Sequence, residues 1–263
     1  MDAIILAGGD GKRLGMNIPK ALVPIGGKTL LQRQVEYLRK QGIENITVCI
    51  KEKDIKLFKN EITSVVLQYT KINSYIGYSE EQDKLGTAGA IKRALDKANE
   101  DAEYVGDASL DISDDFIVLN CDDLVQLNLK KMPVNSIAVT HPRLPFGEIK
   151  FKDYSFITDR VFLTHFKSKP AKPNFKGMIP DKTIESFIEK PLFKNLWVSC
   201  GWYHLDKSIY KYLPDKGDLE KDVFPKMAKK GLLKAFKYTG EWQTINTAKD
   251  YEEVVKHYET KNN

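Results

Sequence analysis

The feature that most constrains this chain lies at its start, where a short apolar run, Ala3-Ile4-Ile5-Leu6-Ala7, breaks into Gly8-Gly9-Asp10-Gly11-Lys12-Arg13-Leu14 and then Pro19-Lys20. An apolar run of that length ending in glycines has the character of a parallel strand buried on both faces and committed at once to a tight turn. Glycines in such a turn let backbone amides approach phosphate oxygens without a Cβ in the way, and Lys12, Arg13 and Lys20 add positive charge to the nest of donors. Leu6, Ala7, Gly8, Gly9, Gly11 and Lys12 are therefore candidate contacts for a triphosphate. Two other phosphate motifs are excluded: Leu14 stands where the third glycine of the dinucleotide fingerprint belongs, and no Gly-Lys-Ser/Thr closes the turn as in a P-loop. Taken alone, the stretch equally suits a tight strand-to-helix connection with solvated Lys and Arg.

The segments beyond the turn set the fold class. Thr29 to Gly42 places Leu30, Leu31, Val35 and Leu38 at helical spacing and stops at a glycine, and Ile46 to Ile50 reads as a second strand. The alternation recurs with Val65 to Tyr69 as strand, Thr87 to Asn99 as helix and Phe116 to Asn120 as strand. It predicts an α/β fold, a Rossmann-like doubly wound, mostly parallel mixed sheet. Ligands of such sheets gather at the carboxyl ends of strands, where both the glycine turn and Asn120-Cys121-Asp122-Asp123 fall. Later, Ile184 to Ile188, Val198 to Leu205 and Lys234 to Tyr238 read as strands and Asp250 to Thr260 as a closing helix. Between them, Asp159 to Lys182 mixes Lys167, Lys169, Lys172 and Lys176 with Pro170, Pro173, Gly177 and Pro180 and reads as a loop, either solvated or covering a substrate.

Composition narrows the partners. A chain of 263 residues that is 42% hydrophobic can bury one full core. Its net charge of +5 is spread along the sequence, which suits small anions and argues against nucleic acid. Cys49, Cys121 and Cys200 are far apart without metal-type spacing, as expected of a reducing cytoplasm. No secretory leader pattern and no apolar run near the roughly 20 residues of a membrane span is present, so a soluble, cytoplasmic protein with no membrane partner is expected.

Several stretches share a family likeness. The run Leu6-Ala7-Gly8-Gly9-Asp10-Gly11-Lys12-Arg13-Leu14 with Pro19-Lys20, continued by Ala21-Leu22-Val23-Pro24-Ile25-Gly26-Gly27-Lys28, resembles the signature of the sugar-phosphate nucleotidyltransferases. Leu85-Gly86-Thr87-Ala88-Gly89-Ala90-Ile91 resembles that family's base-reading turn and helix start. There Gly86 and Thr87 would open a helix whose free amides reach a base edge or phosphate, with Gln82 a base contact. Val118 to Leu124 resembles the strand-end acidic motif in which the first Asp, here Asp122, holds magnesium. Phe146-Gly147-Glu148, Phe187-Ile188-Glu189-Lys190-Pro191 and Ser199-Cys200-Gly201-Trp202-Tyr203 look like the stretches that line the sugar-phosphate side. By that likeness Gly147, Glu189, Cys200 and Gly201 contact the acceptor, and Lys190 holds its phosphate. At Cys200, the bare sequence equally suits a buried thiol filling core space.

The resemblance spans Met1 to about Tyr258 apart from the 159–182 stretch, and implies one nucleotidyltransferase domain. An NTP-binding half (1–135) would be joined to a sugar-phosphate-binding half (136–263) that contains a small β subdomain, with no β-helix tail. It implies transfer of a nucleoside monophosphate from an NTP to a sugar-1-phosphate, for surface polysaccharide or glycoconjugate precursors. Arg13, Lys20, Asp122 and Lys190 would be catalytic, Mg2+ would sit on Asp122 and Asn246, and the chain could assemble as a homo-oligomer, a dimer or a tetramer. In the closing stretch Gly240 to Tyr251, Thr244 replaces the Asp that commonly gives the second metal ligand, and Asn246 offers only a neutral amide oxygen. Two other readings stay open: a nucleotide-sugar-binding regulator without catalysis, suggested by Thr244 and Asn246, and a cytidylyltransferase for a non-sugar phosphate, suggested by Cys200 and the 159–182 stretch.

Overall fold

A computed structural model describes residues 1–61, 75–105, 111–144, 146–151 and 184–262. The expected strand at Val65 to Tyr69 and the 159–182 stretch lie outside the described residues. The chain divides into two compact units, Met1–Thr140 with Ser199–Asn263, and His141–Val198.

The first unit is organised by β1 (Asp2–Leu6), whose residues are buried on both faces as its unbroken apolar run requires. Pro24–Ile25 (β2) and Lys28–Thr29 (β3) form a small hairpin leading into α1 (Leu30–Lys40). Thr29 Oγ1 accepts from Gln32 N (3.1 Å) and Gln32 Oε1 accepts from Thr29 N (3.0 Å), a capping box that starts α1 at the threonine. The apolar residues Leu30, Leu31, Val35 and Leu38 form its buried stripe, with Gln34 as a polar member. The chain continues through β4 (Asn45–Lys51), β5 (Tyr75–Glu81), α2 (Gly86–Val105), β6 (Asp115–Asn120) and β7 (Asp123–Val125) to β8 (Ser136–Thr140).

In the second unit, β9 (Glu148–Phe151) and β10 (Ile184–Ile188) pair antiparallel. Returning to the first unit, the chain forms β11 (Val198–Asp206), α3 (Phe224–Lys229), β12 (Lys234–Lys237), β13 (Trp242–Thr244) and α4 (Ala248–Asn262). The seven-stranded sheet has the order β12-β8-β11-β6-β1-β4-β5. Its β1, β4, β5 and β6 are mutually parallel, and β11 runs antiparallel to β6. Alternation along each strand feeds two cores. Ala3, Ile5, Ile117, Leu119 and Trp202 face α1, and Ile4, Phe116, Val118 and Tyr203 face Ala88, Ile91 and Leu95 of α2. Helices on both faces make the sheet doubly wound, as the sequence pattern implies.

The strand order carries the functional consequence. From β1 the chain moves outward to β4 and β5, then returns to place β6 on the other side of β1. The order reverses between β1 and β6, and such switch points open a crevice at the strands' carboxyl ends. Among the described residues no helix is long and apolar enough to cross a membrane.

Some elements escaped the sequence pattern. β5 ends in three polar residues, Tyr75-Ile76-Gly77-Tyr78-Ser79-Glu80-Glu81, and β8 has only three apolar residues between Ser136 and Thr140, so neither forms a long apolar run. Short α3 offers one and a half turns, too few for a periodic signal.

Candidate active site

Leu6 and Asn120 are register partners at the ends of β1 and β6, and Cys121 N donates to Leu6 O (3.2 Å). The glycine turn after β1 and the acidic turn after β6 thus leave the sheet side by side. They border a cleft of about 500 Å3 whose walls include Leu6, Gly8, Gly9, Arg13, Gly86, Thr87 and Asp122. Lys20 reaches it from the far end of the turn, because Lys20 N donates to Gly9 O (2.9 Å) and folds the loop back on itself.

The acidic turn is braced from behind. Asp123 is only 6% exposed; its Oδ1 accepts from Trp242 Nε1 (3.0 Å) and its Oδ2 from Asn120 Nδ2 (3.1 Å). Burial and then the neighbouring Asp122 charge push its carboxyl up to about 6, against the lowering effect of those donors. β13 pairs antiparallel with β7, Thr244 opposite Asp123, and Ile245 N donates to Asp122 O (3.2 Å). This short ladder carries Asn246 to the acidic turn. Asp250 Oδ2 accepts from the Asn246 and Thr247 amides (3.0 and 2.8 Å), which pins the backbone there at the start of α4.

The Asn246 side chain is oriented as well. Its Nδ2 donates to Thr244 Oγ1 (3.0 Å), leaving Oδ1 to accept from Lys20 Nζ (3.2 Å), which also forms an ion pair with Asp122 Oδ2. Thr244 thus directs the amide oxygen. Asp122 Oδ2 and Asn246 Oδ1 converge on one positive charge, so the pair fits a cation. Two oxygens, with the remaining positions left to phosphate and water, suit a hard ion such as magnesium. Among the described residues no three His, Cys, Asp or Glu gather as a metal cluster.

Several sequence-predicted contacts are placed differently. Ala7 is buried and its N–H is taken by Cys49 O (3.0 Å). Gly11, at φ +64°, has Ile18 O 2.6 Å from where a Cβ would sit, so it shapes the turn. Lys12 and Gln82 are exposed and lie outside the cleft lining.

The helix-start expectation needs correction. The amides of Ala88 and Gly89 donate to Gly217 O (2.9 and 3.4 Å), and Thr87 Oγ1 accepts from Leu219 N (2.8 Å). The protein's own 215–219 segment occupies the start of α2, so those amides are not free for a ligand; Gly89 gives room to Asp215 O. A cleft residue missed from sequence is Glu81, 8% exposed, which accepts from Leu85 N (3.0 Å). Gly8 gives it room, since a Cβ there would lie 2.6 Å from Glu81 Oε1. The overlooked strand β5 hid it, while Lys51, paired with Asp10 in the same cleft, sits at the end of a strand the pattern did show.

Cys200 also corrects the reading. It is fully buried and its thiol donates to Ala138 O (3.3 Å), so its side chain packs in the core and presents nothing to an acceptor. Burial pushes its thiol up to about 12, and those of Cys49 and Cys121 rise further. We expect none of the three thiols to react with Ellman's reagent at pH 8 within minutes, and all three to react in denaturant. One rapid equivalent in the native protein contradicts this placement. Gly201, at φ +76°, sits against Asp123 and Asn120.

In the second unit, Gly147 and Phe187 are in contact: a Cβ on Gly147 would lie 2.6 Å from Phe187 Cε2. Glu189 is exposed on the loop after β10, and Lys190, at φ +47°, accepts through its carbonyl from Arg143 Nη1 (3.4 Å).

The family model for nucleotidyl transferases matches residues 2–261. The chain belongs to the nucleotidyl transferase family. A mannose-1-phosphate guanyltransferase of Schizosaccharomyces pombe is 28% identical over 260 residues, covering 95% of this chain and 62% of the relative. The crystal structure of HddC from Yersinia pseudotuberculosis is 26% identical, covers 98% of this nucleotidyl transferase and 99% of that chain, and superposes with a TM-score of 0.63; the same protein has been solved with GMP-PN. A UDP-glucose pyrophosphorylase complexed with UDP-glucose, 18% identical, covers 99% and 98% of the two chains at a TM-score of 0.62 and shares the fold. The chain spans 62–63% of the length of the curated relatives it matches.

Proposed function

We propose that this chain transfers a nucleoside monophosphate from an NTP to a sugar-1-phosphate, with release of pyrophosphate. The observation that carries the reading is the convergence of the glycine turn, Arg13, Lys20, Asp122 and Asn246 at the β1–β6 switch point. GTP is the favoured nucleotide: the Schizosaccharomyces pombe relative is named a guanyltransferase, and HddC has been crystallised with GMP-PN.

An oxygen of the acceptor phosphate attacks the α-phosphorus in line; that P–O bond forms as the bond to the β-phosphate oxygen breaks and pyrophosphate leaves. Such chemistry asks the protein for positioning and charge. The glycine turn lines the triphosphate space, and Arg13 and Lys20 neutralise the leaving pyrophosphate. Asp122 and Asn246 would hold magnesium, which when bound polarises phosphate oxygens. Glu81 and Thr87 border the nucleotide space.

A matrix of five NTPs against hexose-1-phosphates and a non-sugar phosphate such as inositol-1-phosphate, read by pyrophosphate release in Mg2+, tests this. Turnover with GTP and a hexose-1-phosphate is expected. Turnover confined to CTP with the non-sugar acceptor would replace the acceptor assignment. Binding of a nucleotide sugar with no release from any pair would replace catalysis with sensing.

A further inference from the structure

Gln34 is 2% exposed, on the stripe of α1 otherwise formed by Leu30, Leu31, Val35 and Leu38. A buried amide in an apolar stripe costs stability unless it is hydrogen-bonded. Its Nε2 donates to Cys121 O at 3.1 Å and to Asp123 O at 3.0 Å, the two carbonyls on either side of Asp122. One planar NH2 group spans the residue between them. The carbonyl of Asp122 itself is held by Ile245 N, and Asp123 O accepts a second bond from Trp202 Nε1 (3.0 Å). All three carbonyls of the turn are thus fixed, two of them by a side chain from a helix that lies outside the cleft lining.

We propose that Gln34 is a positioning residue for Asp122: its amide fixes the turn so that the Asp122 carboxylate meets Asn246 Oδ1 around one cation. The geometry gives the reason. A carboxylate on a turn swings with the peptide planes that carry it: Gln34 holds the plane before Asp122 and the plane after Asp123 to the face of α1, while Ile245 N holds the plane between Asp122 and Asp123. Partners beyond the ligands themselves set ligand orientation, and their loss typically weakens metal binding 10–100-fold. This inference rests on the proposed metal role of Asp122.

The test measures Mn2+ binding in the presence of GTP, by the free-ion EPR signal, with thermal unfolding alongside. Gln34→Met removes both donors at similar volume and is expected to weaken Mn2+ binding about tenfold. Val35→Ala, on the same helix but away from the turn, is expected to lower the unfolding midpoint while leaving Mn2+ affinity within about twofold. Should Gln34→Met fail to fold, Gln34→Asn, which keeps an amide too short to span both carbonyls, takes its place with a weakening of about three- to tenfold expected. Mn2+ affinity unchanged in the Gln34 variant, or lowered equally in Val35→Ala, overturns the inference. Asp122→Ala is the control: if it binds Mn2+ as wild type does, or if wild type binds none, the metal role of Asp122 fails, and the clamp's proposed purpose fails with it.

Discussion

Replacing Asp122 by alanine should lower pyrophosphate release by at least about 10³-fold, since charge stabilisation of several kcal/mol is at stake and each 1.36 kcal/mol is tenfold. The fold should barely notice. Asp122 is partly exposed, its side chain 22% accessible, and losing its ion pair with Lys20 is offset by relief of its repulsion of buried Asp123, so the unfolding midpoint should move by no more than about 3 °C. A steady-state assay beside a thermal melt separates the two effects. Activity within tenfold of wild type at saturating Mg2+ would sink the assignment of Asp122.

A loss of stability comes first at Gly201. At φ +76° an L side chain is strained, and a Cβ would lie 2.6 Å from Asp123 Cγ, nearer still to its Oδ2, and 2.8 Å from Asn120 Nδ2. Neither neighbour can retreat, because Asp123 is bonded to Trp242 and Asn120 and closed in by the sheet. Left-handed strain of 1–2 kcal/mol plus overpacking of 1–3 kcal/mol give Gly201→Ala a loss of about 3 kcal/mol, or about 6 °C in unfolding midpoint. Activity should fall with stability, since the displaced Asp123 supports the strand that carries Asn246. A variant that melts within 2 °C of wild type would show that the strand has room for a methyl group after all.

The parts of the molecule legible in the sequence are those where one physical demand dominates. β1 and β6 are buried on both faces, so unbroken apolar runs announced them, and their carboxyl ends announced where a cleft would open. Glu81 and Gln34 were illegible for a shared reason: each is a polar residue whose neighbours in sequence are unremarkable and whose partners lie elsewhere in the chain. Glu81 meets Gly8 from β5, a strand that ends in polar residues, and Gln34 interrupts a helical stripe where periodicity marks it as noise. The start of α2 misled in the other direction. Its glycines promised open amides, and only the tertiary structure shows Gly217 O already bonded to two of them. Cys200 was ambiguous because a thiol suits core and cleft alike, and its register on β11 decided for the core.

Lys20, Asp122 and Asn246 touch although 102 residues separate the first two and 226 the first and last. Contacts that distant close large loops, and loop closure makes them slow to form relative to local helices and hairpins. A folding chain can therefore regain most of its helical signal while its three key side chains remain strangers. Function then reports on complete assembly: the constellation exists only when beginning, middle and end of the polypeptide have all been threaded into place, so a molecule arrested with its final helix undocked would keep a native-like core and be chemically silent.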